Sequence, residues 1–373
     1  MPKMKLTASK RLVVKIGSAL LVDESSGHIH QQWLASLIED IAQYASHDQQ
    51  VIIVSSGSIN LGRGSLGFNR LPLKLEEKQA AAAAGQIRLA HIYQTMLAKH
   101  QLCAAQILLT LSDSEDRKRY INAKNTLETL LKAKAIPIIN ENDTIATTEI
   151  RFGDNDRLAA RIAQMSEADT LVLLSDIDGL YDSDPRKNAQ ARFIPEVKEI
   201  TTDILNMAGD TSTTVGSGGM ITKLKAAQIA MGSGCRMVIA NGKAQHPLSN
   251  IDKGERCTWF IPALSRHKAR KNWIRHHLQP QGKIIINDGA VTALQNGKSL
   301  LAAGATAIEG HFQKGEVVCV CTQSSMEIAR GLCNYSADES QKILGKKSDE
   351  IEAALGYFAS SELIHRNNLV LLN

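Results

Sequence analysis

Two clusters of short polar and acidic residues stand out: Asn140-Glu141-Asn142-Asp143 and Gly153-Asp154-Asn155-Asp156. They fall between an apolar run ending at Ile139 and a segment where Leu158, Ile162 and Met165 recur at helical spacing. That places both at the end of a strand and the start of a helix, where open α/β sheets bind ligands. Two lysines occupy similar corners. Lys15 interrupts the apolar run Arg11-Leu-Val-Val-Lys-Ile-Gly17, and Lys223 closes Gly216-Ser-Gly-Gly-Met-Ile-Thr-Lys223, a glycine-rich loop leading into a helix. Glycines let backbone N–H groups approach an anion, and the helix offers its positive end. Two ammonium groups so placed could grip a phosphoryl group in flight, a transfer that needs positioning and charge neutralisation more than covalent chemistry. The carboxylates could then orient the lysines, hold a metal, or bind an ammonium or amide. Taken singly, each feature has a plainer reading: polar turns, an edge lysine snorkelling to water, an ordinary loop before a helix.

The elements that must position these residues alternate. Apolar runs at Leu12–Ile16, Val51–Val54, Ala104–Thr110, Ile136–Ile139, Thr170–Ser175 and Arg236–Ala240 read as strands. Helical periodicity covers Gln32–Tyr44, Leu75–Lys99 and Arg119–Lys134, with further helices after Asp156 and Gly219. The strands end in small or polar residues, as expected of an open, mostly parallel sheet sandwiched by helices with its ligands along the carboxyl edge. Thr144–Phe152 alternates and reads as a hairpin. Beyond about residue 262 the pattern changes. Arg266–His277 is basic and reads as a connector. Short strands at Lys283–Ile286, Ser299–Leu301, Ala307–Glu309, Glu316–Cys321 and Glu327–Gly331 then suggest a small β-rich domain. The expected division is a catalytic domain over 1–262, a connector over 263–280 and the β-rich domain over 281–373.

Composition narrows the class. The 373 residues are 43% hydrophobic with net charge +5, which is no nucleic-acid footprint by itself. Aromatics make up 4%, too few for a base-stacking surface. No apolar run is long enough for a membrane span, and the basic N-terminus does not read as a signal peptide, so a cytoplasmic protein is expected. The six cysteines form no CxxC pair and read as reduced, mostly buried thiols. There is no Walker A loop, strict GxGxxG or protein-kinase signature.

The ordered set Val-Val-Lys-Ile-Gly-Ser18, Val54-Ser-Ser-Gly-Ser-Ile59, the stretch from Pro137 to Asp156, Leu173–Pro185 and Gly216–Lys223 resembles the amino acid kinase family, specifically its glutamate-phosphorylating branch. The resemblance runs from about Lys10 to Gly242, and the C-terminal part looks like a PUA domain. It implies ATP- and Mg²⁺-dependent phosphorylation of the side-chain carboxylate of L-glutamate, the first step toward proline. Carried over residue by residue, it makes Lys15, Lys223 and Asp156 catalytic. Ser56, Gly57, Asp143, Asp154 and Asn155 would bind the amino acid. Lys15, Gly17, Ser175, Asp176, Ser217, Gly218, Gly219, Met220, Ile221, Thr222 and Lys223 would bind the nucleotide; the resemblance names no metal ligand. It further implies a homo-oligomer such as a tetramer, inhibited by proline. Ser58 stands where the family usually has Ala, and Ser175 and Ser217 where it has Thr. The alternatives are a sibling kinase acting on acetylglutamate, aspartate, carbamate or a nucleoside monophosphate, and an RNA-binding protein with a relic catalytic domain. A PUA-like domain elsewhere binds RNA, but here Tyr335 alone makes no stacking platform.

Overall fold

The structure is a computed structural model of the chain and describes residues 4–23, 26–68, 72–145, 155–208, 219–276, 279–358 and 360–372. It contains two compact units, Met1–Leu264 and Ser265–Asn373. The first begins with β1 (Arg11–Ile16), α1 (Ser18–Leu21), α2 (Gln31–Ser46), β2 (Gln50–Ser55), α3 (Ser58–Arg63), α4 (Leu75–Ala98) and β3 (Ala104–Leu109). It continues through α5 (Leu111–Glu115), α6 (Arg117–Lys132), β4 (Ile136–Glu141), α7 (Asn155–Met165) and β5 (Thr170–Ser175). After a two-stranded hairpin, β6 (Leu180–Tyr181) with β7 (Phe193–Ile194), come β8 (Glu196–Val197), α8 (Thr202–Asn206), α9 (Met220–Gly232), β9 (Arg236–Asn241), α10 (Pro247–Lys253) and β10 (Cys257–Phe260). Eight strands form one sheet in the order β3-β4-β2-β1-β5-β9-β10-β8, parallel except where β10 meets β9. The expected open, mostly parallel sheet is what the chain forms. The expected hairpin over Thr144–Phe152 lies, from residue 146 on, outside the described residues.

Strand parity decides what faces what. Successive strand side chains point to opposite faces. Leu12, Val14 and Ile16 therefore join the core built with α2, α4 and α10, through Leu37, Tyr93 and Leu248. Val13 joins the other core, built with α6, α7 and α9 through Leu127, Ile162 and Leu224. Lys15 shares the parity of Val13, so it emerges on the α7 and α9 side of the strand at the centre of the sheet. It is not an edge lysine: β1 pairs with β2 on one side and β5 on the other, and Lys15 is 7% exposed.

The helices on the other face meet through glycine. A Cβ on Gly85 of α4 would lie 1.7 Å from the Ser58 carbonyl oxygen, and one on Gly62 of α3 would lie 1.9 Å from the Ala81 carbonyl oxygen. Only two bare backbones pack this closely. The crossing holds Ser58 and the residue after Gly85 beside the ends of β2 and β4.

The second unit comprises α11 (Arg266–His276), β11 (Gly282–Ile286), α12 (Asp288–Gln295), β12 (Ala305–Gly310), β13 (Val317–Thr322), β14 (Glu327–Leu332), α13 (Ala337–Lys342), α14 (Ile351–Leu355) and β15 (Leu369–Leu371). Its sheet runs β12-β11-β13-β14-β15. Two readings are corrected here. The basic stretch expected as a connector is the helix α11. It buries Ile274 with Val317, Leu332 and Val370, and the charges on its other faces mask that anchor in the sequence. Ser299–Leu301 is not a strand: Leu300 makes one isolated bridge to Ile364 before a 3₁₀ turn over Ala302–Gly304. All six cysteines are free; Cys235, Cys321 and Cys333 are buried, whereas Cys103 is exposed. Burial and the adjacent Glu327 carboxylate push the Cys319 thiol up to about 12, which leaves little nucleophilic thiolate. Tyr335 is fully buried, its hydroxyl turned inward toward the Ser360 carbonyl.

Gly85→Ala is expected to destabilise the protein by about 3 kcal/mol, because the added methyl must push two helix backbones apart. A change at the exposed Ala83, two residues earlier on the same helix, should stay within about 0.5 kcal/mol. Urea midpoints of the two variants check this, and equal midpoints would contradict the close-packed crossing.

Candidate active site

Lys15, at the carboxyl end of β1, points toward the first turns of α7 and α9. Its Nζ lies 2.7 Å from Asp156 Oδ1, and Lys223 Nζ lies 3.0 Å from Asp156 Oδ2. Asp156 is fully buried and each lysine is 7% exposed. Each side chain is fixed by its element. Strand parity aims Lys15. Leu158, Ile162 and Met165 seat α7 on the sheet and bring Asp156 to its buried start. Leu224 and Ala227 do the same for α9 and Lys223. Thr222 Oγ1 lies 3.0 Å from Asp156 Oδ2 and 2.8 Å from the Gly219 carbonyl, two acceptors for its single proton. Burial alone would raise the Asp156 carboxyl. The Lys15 and Lys223 ammonium groups overcome it and hold the group well below the usual carboxylate range. The trio keeps a net positive charge at the mouth of the sheet, suited to an anion that gains charge during reaction.

Beside it is a second, amide-rich cluster. Asn155, the residue before Asp156, donates from Nδ2 to Ser56 Oγ at 2.6 Å, to the Ser55 carbonyl at 3.2 Å and to Asn140 Oδ1 at 3.2 Å. Asn140 Nδ2 donates to Ser58 Oγ at 3.3 Å and to Gln86 Oε1 at 2.8 Å. Ser58 in turn donates to Asp143 Oδ2 at 3.1 Å. Behind the cluster, Tyr93 of α4 and Ser55 are joined by a 2.9 Å hydrogen bond. Gly57 has φ 107°, a left-handed turn that suits glycine and swings the chain from β2 into α3. Burial pushes the Asp143 carboxyl up to about 6, although the Ser58 hydrogen bond pulls the other way. Among the described residues an ionised Asp143 has no partner cation, unlike Asp156.

The structure thus brings together Lys15, Asp156 and Lys223, and next to them Ser56, Gly57, Asp143 and Asn155. Gly17 follows β1, and a Cβ there would meet only Lys15 Nζ, at 3.8 Å. Gly219, Met220, Ile221 and Thr222 form the start of α9, where Gly219 has open space for a ligand's approach. Ser175 and Asp176 lie at the end of the neighbouring β5, where the Gly242 N–H donates to the Ser175 carbonyl at 2.7 Å. Asp154, Ser217 and Gly218 lie outside the described residues. Sequence reading assigned no role to Asn140, Ser58, Tyr93 or Gln86. Asn140 sits inside the first polar cluster and could have been singled out. Tyr93 and Gln86 belong to a helix paired with the site only through the fold.

A parallel sheet whose carboxyl edge gathers two ammonium groups around one buried carboxylate suits the stabilisation of a transferred phosphoryl group, the work of a phosphotransferase. The chain belongs to the amino acid kinase family, which it matches over residues 10–241. Residues 282–355 match the PUA domain. It is 57% identical over 366 residues to a glutamate 5-kinase of Paramagnetospirillum magneticum, covering 98% of this chain and 99% of that one. It is 54% identical over 359 residues to a glutamate 5-kinase of Rhodospirillum rubrum, covering 96% of each. To a glutamate 5-kinase of Bradyrhizobium diazoefficiens it is 51% identical over 371 residues, the full length of both.

The raised Asp143 value has a consequence for the unliganded protein. Protonated Asp143 favours folding below its ordinary value near pH 4, and that contribution is lost as pH rises through about 6. Asp143→Asn should therefore be more stable than the native chain at pH 8, by up to roughly 3 kcal/mol, with the difference vanishing near pH 4. Urea denaturation at the two pH values measures it; a less stable variant at pH 8 would refute the assignment.

Proposed function

We propose that the chain transfers the γ-phosphoryl group of ATP to the side-chain carboxylate of L-glutamate, giving glutamyl 5-phosphate and ADP. The full-length similarity to glutamate 5-kinases carries the substrate, and the Lys15–Asp156–Lys223 trio carries the chemistry. A glutamate carboxyl, with ordinary value near ~4.3, is already ionised at neutral pH, so the nucleophile needs no base. One carboxylate oxygen attacks the γ-phosphorus, the bond to the β–γ bridging oxygen breaks, and no proton moves. What opposes reaction is repulsion between the carboxylate and the triphosphate. Lys15 and Lys223 offset it, and Asp156 holds the two cations together against their own repulsion. Mg²⁺ enters as part of the nucleotide substrate, since it prefers phosphate oxygens and few protein carboxylates. Gly17, Ser175, Asp176 and the start of α9 take the nucleotide. Asp143 takes the α-ammonium, whose charge compensates a carboxylate with no cationic partner among the described residues. Proline carries the same carboxylate and a cationic amine, so it would compete for this pocket; self-association into a tetramer completes the proposal.

Hydroxylamine trapping of the acyl phosphate tests the reading. Glutamyl hydroxamate should form with ATP and L-glutamate; hydroxamate with aspartate or acetylglutamate but not glutamate would overturn it. Lys223→Ala should lower kcat by orders of magnitude, roughly 10²-fold or more, with a modest change in glutamate KM, because its charge matters most as the phosphoryl group moves. Near-normal kcat would remove Lys223 from the transfer step. At saturating nucleotide, the glutamate KM should rise as pH falls below about 6, where Asp143 takes up a proton and loses its charge. A flat KM from pH 8 to pH 5 would remove Asp143 from the ammonium site.

A further inference from the structure

The amide cluster has a fixed sense, and it starts from the backbone. The Glu141 N–H, which can only donate, donates to Asn140 Oδ1 at 2.9 Å. That leaves Asn140 Nδ2 as the donor toward Gln86 and Ser58. Asn155 is fixed independently, because its Nδ2 faces the Ser55 carbonyl, which can only accept. Asn155 therefore donates to Ser56 Oγ as well as to Asn140 Oδ1. A hydroxyl that receives a 2.6 Å hydrogen bond keeps its own proton for something else. Within this cluster Ser56 is thus committed as a donor toward an incoming anion.

Gln86 is the far anchor of this chain. Its Oε1 accepts from Asn140, while its Nε2 is buried with no partner among the described residues. A buried amide donor left unmatched weakens a fold. The structure thus uses Gln86 for its acceptor alone and tolerates the unmatched donor beside it. Gly85, the preceding residue, makes the close helix crossing that brings α4 near enough for Gln86 to reach β4.

We propose that Gln86 is a positioning residue for substrate recognition: by accepting from Asn140, whose sense the backbone already sets, it holds the Asn140–Asn155 amide pair in the place that presents the Ser56 hydroxyl to a carboxylate of the amino-acid substrate. The proposal rests on the glutamate-kinase reading for its substrate, but its geometry does not. Gln86→Met keeps the shape and removes the acceptor; Gln86→Glu keeps the acceptor. The Met variant should raise the glutamate KM roughly ten-fold, leaving the ATP KM and kcat within about three-fold, and Gln86→Glu should restore the glutamate KM to within about three-fold of native. In the background of Ser56→Ala, Gln86→Met should add little further, because it acts through Ser56. Unchanged glutamate KM in Gln86→Met, or equal increases for both substrates, or full additivity with Ser56→Ala, would overturn the role. A readout without turnover separates the two ideas. With asparagine side chains ¹⁵N-labelled, Gln86→Met should shift the Asn155 side-chain amide resonance, identified by its loss in Asn155→Asp, although Gln86 bonds to Asn140. No shift would refute the relay, whatever the enzyme phosphorylates. Absence of glutamyl hydroxamate from the native protein would refute only the substrate.

Discussion

The ion trio of Lys15, Asp156 and Lys223 is the constraint to which the first unit is built. Its three charges are almost wholly removed from solvent. Desolvating such groups is expensive, the trio carries a net positive charge, and removing Asp156 would leave two buried ammonium groups uncompensated. The arrangement is therefore a poor source of stability for its own sake. It makes sense where water must be excluded and positive charge must be ready before the substrates arrive. Keeping it requires a central strand of the right parity and two helices that begin at the same edge. The apolar cores under α7 and α9 supply that framework.

Two aspartates in the same strand–helix unit are driven in opposite directions. Asp156 is flanked by two ammonium groups and stays ionised far into acid. Asp143 is half-buried beside the Ser58 hydroxyl, and burial pushes its carboxyl up to about 6. Environments that push like groups apart divide their roles. The first has both its cations in place, whereas the second has the Ser58 hydroxyl as its hydrogen-bond donor among the described residues.

The amide cluster depends on a packing feature remote from charge. Gly62 and Gly85 let α3 and α4 touch backbone to backbone, and this seats Ser58 and Gln86 against the ends of β2 and β4. Tyr93, two turns along the same helix, reaches Ser55 from behind. One helix therefore reads out as hydrogen-bond geometry at the pocket, although its sequence looks like an alanine-rich structural rod. In the second unit a similar economy holds. One buried isoleucine, Ile274, ties a highly basic helix to its sheet.

The sequence by itself determined the sheet class, the strand that carries Lys15, and the candidate polar residues at strand ends. Those signals are local: apolar runs, helical periods and unusual charges are visible within a few residues of chain. It did not determine that Lys15 is central and not at an edge, because strand order is set by pairing between distant segments. Nor could it expose α11, whose buried Ala269 and Ile274 are outnumbered by charge, or the false strand at Ser299–Leu301, whose pairing reduces to one bridge. Within the opening pair of polar clusters, sequence reading separated Asp143 and Asn155 from Asp156 by resemblance alone. Only the tertiary structure fixed the physical basis of that division. Burial and ion pairing act through space, so the meeting of Asp156 with two lysines, and of Asn155 with Asn140 and Ser56, exists only once the helices are packed.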